Sequence, residues 1–263
     1  MIQPQSNFHD LFGQLEQLLK YQGQLSPFET AALKRDIGKI ADFSERELLY
    51  ALLFTVCNDS DEAISRYKKL ISAGIDDFVV NSNYVSSLVH LNKPVQAYRQ
   101  LARVAELFPN AISLLRLMNL QLEFLDIKSA LVTAQFFKEK SDDEELREKI
   151  DPLYLVDMVD DFIEHTELIT FENLKSIGFI GMKFIEDNSI RCKSFAISIG
   201  IESEYLVIRY LLDSNLYTVD EAEEFNNKLL NILIDENFDL LPVVQQFNFI
   251  AGNTGFNLVK DNG

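Results

Sequence analysis

The sequence predicts an α+β protein: an N-terminal all-α solenoid of helical hairpins, followed by a small acidic α+β domain with a short antiparallel sheet. Three observations carry this. Apolar residues recur at three- and four-residue intervals through the first 140 residues, the spacing of one helix face. Near residue 195 the pattern changes to strict alternation, the spacing of a strand. Glycine and proline number only 10 and 6 of 263 residues, too few for a many-turned all-β chain. Three segments follow: a helical array over 1–140, an acidic helical linker or cap over 141–170, and an acidic α+β domain over 171–263.

The elements read in order. Phe8, Leu11, Phe12, Leu15, Leu18 and Leu19 form one face of a helix over 8–22. Ser26-Pro27 is a cap followed by proline at the first helical position, and opens a helix to about Ile40. Paired helices come next: 44–57 with 61–73, then 78–91 with 94–108, then 111–125 with 127–138. Asp151-Pro152 starts a helix over about 152–165, with Leu153, Val156, Val159, Phe162 and Ile163 on its apolar face. This helix would cap the end of the solenoid. A further helix covers 171–186. Phe195, Ile197, Ile199 and Ile201 alternate with small or polar residues as a first strand. Tyr205–Leu212 is an apolar run that reads as a second strand buried on both faces. Thr218 and Glu221 make a capping box for a helix to about Glu236, and 245–250 reads as a third strand.

The pairs repeat. Ala63 and Ala97 stand 34 residues apart, with Ala130 33 further on. A small residue at that point lets the second helix of a pair approach the first. With Ala51, Phe54 and Tyr67, then Tyr84, Leu88, Leu101 and Pro109, then Met118, Leu122 and Phe137, this pattern over residues 44–140 resembles the tetratricopeptide repeat family. The chain departs from the family where its early aromatic should stand, since Glu47, Asn81 and Leu115 occupy that place. The resemblance implies a groove lined by the first helix of each pair. Its lining residues would be Leu48, Leu52 and Val56, then Ser82, Asn83, Ser86 and His90, then Arg116, Leu120 and Phe124. Asn83 and Arg116 match the family's carboxylate-clamp chemistry, but Leu48 and Leu52 replace its basic and polar members. A mixed groove for a helix or extended segment fits better.

Charge divides the chain. Residues 1–140 hold 15 basic and 16 acidic side chains, whereas 141–263 hold 9 and 25. A field of that sign repels nucleic acid and anionic lipid and attracts basic protein surfaces. Asp157, Asp160, Asp161 and Glu164 are the acidic residues expected to meet such a partner. No apolar run approaches the roughly 18 residues of a membrane span. Two cysteines, Cys57 and Cys192, cannot build a disulfide framework and suit a cytoplasmic protein. The first residues lack a basic and apolar leader.

Catalytic and cofactor motifs are not found. The sequence holds no G-x-S-x-G, C-x-x-C, phosphate-binding or dinucleotide-binding pattern, so neither catalytic residue, cofactor nor metal ligand is assigned. One segment, Asp160-Asp161-Phe162-Ile163-Glu164, resembles the aspartate-rich box with which helical isoprenoid synthases hold magnesium. The functional expectation is a non-catalytic protein-binding module. It docks a partner segment in the helical groove and engages a basic protein through its acidic half, as an immunity protein, antitoxin or chaperone would. Two alternatives stand beside it: a repeat scaffold or adaptor whose acidity serves only solubility, and a metal-dependent enzyme using Asp160, Asp161 and Glu164.

Overall fold

The computed structural model describes residues 7–21, 23–141, 144, 159–164, 169–199, 205–236 and 243–249. The chain is α+β, and its contacts divide it into two compact units, 1–109 and 110–263. The third helix pair therefore groups with the sheet, whereas the sequence pattern placed it with the first two pairs.

The first unit contains α1 (Phe8–Lys20), α2 (Pro27–Ile37), α3 (Phe43–Val56), α4 (Ser60–Ser72), α5 (Phe78–His90) and α6 (Pro94–Leu107). Capping side chains fix their starts. Ser26 and Glu29 form a reciprocal box at α2, and Asp42, Asp59 and Asp77 accept from the third backbone N–H of α3, α4 and α5. These carboxylates satisfy orphan donors and complement the helix dipole. Helices α3 and α4 pack as one hairpin and α5 and α6 as the next; α3 also touches α1, α2 and α5. Between hairpins, Tyr67 stacks on Tyr84 with ring centroids 4.8 Å apart. Its hydroxyl pairs with Ser87 Oγ at 2.8 Å.

The second unit contains α7 (Ala111–Glu123), α8 (Ile127–Lys140), α9 (Phe171–Asp187), β1 (Cys192–Ile199), β2 (Leu206–Leu212), α10 (Val219–Asp235) and β3 (Val243–Phe249). Residues 159–164 are helical. The sheet order is β1-β2-β3. Strands β1 and β2 are antiparallel, with Ala196 opposite Arg209. Strands β2 and β3 are parallel, with Arg209 opposite Gln246. The sheet is thus mixed, which corrects the expected antiparallel one. The reason was present in the element order: a helix between two strands that pair makes a crossover, and a crossover delivers the second strand parallel.

One sheet face is aromatic and packs against α9 and α10. Tyr210 and Phe247 stack at 5.0 Å, and Phe184 of α9 and Phe225 of α10 lie 5.9 and 5.7 Å from Phe247. Strand β2 is fully buried on this face through Leu206, Ile208, Tyr210 and Leu212, but Arg209 and Leu211 on the other are only half-buried. Two glycines let α9 come close. A β-carbon at Gly178 would overlap the Phe124 carbonyl, and one at Gly181 would overlap the Tyr210 hydroxyl. Across the same seam Lys175 pairs with the buried Asp126 at 3.0 Å.

Candidate functional site

The hairpin turns carry the repeat most clearly. Asn58, Asn92 and Leu125 all adopt positive φ, at 57°, 56° and 55°. The backbone bonds Asp59 N to Phe54 O, Lys93 N to Leu88 O and Asp126 N to Gln121 O close each helix identically, all at 2.8 Å. Asparagine tolerates the left-handed conformation; leucine does so at a cost. Leu125 is 1% exposed and its β-carbon sits against Gly178, so burial holds it there.

Counting from these turns sets the register of the three hairpins. The one-residue deletion falls before α7, which Asn110 caps. Leu114, not Leu115, therefore matches Glu47 and Asn81. The positions matching Ser82, Asn83, Ser86 and His90 are Leu115, Arg116, Asn119 and Glu123. The expected Leu120 and Phe124 stand one residue out of that register.

Each expected groove residue has a definite place. Leu48 and Leu52 are 5% and 2% exposed, part of the core under the helices packed on α3, and offer no surface to a partner. On α5, Ser86 is exposed and Ser82, Asn83 and His90 are half-buried. They make a polar strip along one helix. Asn83 Nδ2 donates to the Val79 carbonyl at 2.9 Å and Ser86 Oγ to the Ser82 carbonyl at 3.0 Å. In the second unit Arg116 and Leu120 are half-buried. Burial holds the Arg116 guanidinium below its ordinary range. Phe124 is wholly buried, edge-on to Phe179 at 4.7 Å, and cannot touch a partner. Asp160, Asp161 and Glu164 are exposed on the 159–164 helix, whose Val159 and Phe162 are buried; Asp157 lies outside the described residues. Among the described residues no three His, Cys, Asp or Glu side chains are placed to hold a metal ion.

Two arrangements escaped the sequence reading. The first is a buried polar clasp that repeats at 34 residues. In the first pair Glu47, 3% exposed, accepts from Arg66 at 3.0 Å and Lys69 at 2.9 Å. In the second, Asn81 accepts from Gln100 at 2.7 Å and Arg103 at 2.9 Å, and Arg103 also pairs with Asp76. The third substitutes Leu114, Thr133 and Phe136. Burial alone would push the Glu47 carboxyl up, but the bonds from Lys69 and Arg66 outweigh it and hold it below the usual range. The signal was available: Arg66 and Gln100, and Lys69 and Arg103, share the spacing of the alanines.

The second is a half-buried pair of titratable side chains, Glu123 and Cys192. Glu123 closes α7, and burial raises its carboxyl to about 7. Burial, with the Glu123 charge nearby, pushes the Cys192 thiol to about 12. A thiol held so far from ionisation is a poor nucleophile. Neither cysteine is in a disulfide; Cys57 is exposed and Cys192 half-buried.

No protein-family model matches the chain, and neither a curated protein nor a solved structure matches it. Among the described residues no helix is long and apolar enough to cross a membrane.

Proposed function

We propose that the protein is a non-catalytic, cytoplasmic binding module of tetratricopeptide-like architecture that docks a partner segment and engages a basic protein through its acidic half. The observation that carries this reading is the charge division: 25 acidic and 9 basic side chains over 141–263, against 16 and 15 over 1–140. Opposite charge speeds encounter and makes it salt-sensitive. The exposure of the Asp160, Asp161 and Glu164 carboxylates supports contact with a cationic surface. The polar strip of exposed Ser86 and half-buried Ser82, Asn83 and His90 on α5 is what the helical array offers a docked segment, now that Leu48, Leu52 and Phe124 are in the core. An immunity protein, antitoxin or chaperone against a basic partner has this character.

Capture of binding proteins by the full chain at low and high salt tests it, beside the variant Asp160→Lys/Asp161→Lys/Glu164→Lys. A basic protein retained at low salt, released at high salt and lost by the variant is the expected outcome. Binding indifferent to both salt and charge reversal would leave the alternative of a repeat scaffold whose acidity is only solubilising.

A further inference from the structure

The sheet has a second face. Its rows run Ser198–Val207–Val244, Ala196–Arg209–Gln246 and Ser194–Leu211–Asn248 across the three strands. Eight of these nine side chains are half-buried and only Val207 is buried. No position in the nine is acidic, in a segment where carboxylates outnumber cations 25 to 9. Arg209 stands at the centre. Among the described residues its guanidinium makes one side-chain bond, donating from Nη1 to Ser198 Oγ, and takes part in no ion pair. Lys175, Lys183, Lys193 and Lys228 of the same unit, by contrast, each sit against a carboxylate.

A guanidinium presents five N–H donors in a planar fork. With one hydroxyl partner, most of that fork has no protein acceptor among the described residues, and the acceptor it fits is a planar anion taken two-pronged. Ala196, the residue beside it on β1, is small. Ser194, Gln246 and Asn248 add hydrogen-bonding groups on the same sheet face. A single cation within a chain of net charge −17 matches one negative charge and disfavours polyanions.

We propose that this sheet face binds a single carboxylate on an otherwise neutral molecule, with Arg209 as the two-pronged donor and Ser198 orienting its guanidinium. The site is separate from the acidic surface proposed above for a basic partner and stands or falls independently of it.

The test is a titration of the full chain, labelled at arginine Nε, with acetate, with acetamide, with inorganic phosphate and with a doubly blocked glutamate residue. Acetate is expected to shift the Arg209 resonance saturably, and acetamide, its uncharged counterpart, to leave it unmoved. Tighter binding of blocked glutamate than of acetate would place the carboxylate on a peptide; equal binding would place it on a small free acid. Arg209→Gln abolishes the saturable response. Arg209→Lys keeps the charge but loses the fork, and weakens binding several-fold. The proposal is overturned by no saturable shift with acetate, by an equal response to acetamide or to phosphate, or by Arg209→Lys binding as well as the parent. Unchanged cross-strand amide signals in both variants establish that the sheet is intact.

Discussion

Glu47 and Glu123 show how environment assigns opposite behaviour to one residue type. Glu47 is held ionised by Arg66 and Lys69, so its stabilising contribution is complete above the ordinary glutamate range and is lost as pH falls through its lowered value. Glu47→Gln is expected to cost about 1–3 kcal/mol at pH 7 and progressively less in acid, measured by denaturant unfolding across pH. Glu123 has the reverse sign. Its carboxyl is raised from 4.5 to about 7 by burial, so the stability it confers is full below about pH 4.5, declines as pH rises toward 7, and levels off above. Glu123→Gln is expected to flatten that decline and to stabilise the protein at pH 8 by roughly 2 kcal/mol. A pH-stability profile of the variant parallel to that of the parent would show the carboxyl to be solvated.

At the scale of elements, the α9 seam depends on atoms that are absent. Gly178 and Gly181 bring one helix against the Phe124 carbonyl and the Tyr210 hydroxyl, and backbone cannot yield as a flexible side chain can. Gly178→Ala is expected to lower stability by more than about 2 kcal/mol, beyond the gain of up to about 1 kcal/mol that alanine brings to an open helix site. Thermal melting decides it. The turn before α8 makes the complementary point. Leu125→Asn relieves a left-handed leucine worth about 1–2 kcal/mol but removes a buried side chain worth about 1.5–3 kcal/mol. A net loss is expected, and a rise in melting temperature would show that the leucine is not needed to fill the seam.

For the whole molecule, charge is the dominant global property. With 41 acidic and 24 basic side chains, self-repulsion opposes the compact state. Because the screening length is about 10 Å at 0.1 M salt, raising ionic strength from a low value is expected to raise the melting temperature of the free protein. The same change would weaken capture of a basic partner. Under the proposed function, stability and binding are expected to move in opposite directions with salt, and calorimetry beside salt-stepped capture reads both.

The amino-acid pattern alone determined the helices of the hairpins and the strands, because apolar periodicity and caps such as Ser26 and Thr218 act within a few residues. It determined the charge division, which needs no coordinates. Tertiary structure decided what depends on partners distant in sequence: that β3 joins β2 in parallel, that Leu48, Leu52 and Phe124 are core and not groove, and that the α7 register begins at Asn110. It also decided that Glu47 and Asn81, which read as gaps in the repeat, are the buried acceptors of cations on the next helix, and that Arg209 has no carboxylate partner among the described residues. Burial and pairing are properties of surfaces brought together by folding, and no local spacing encodes which surface arrives.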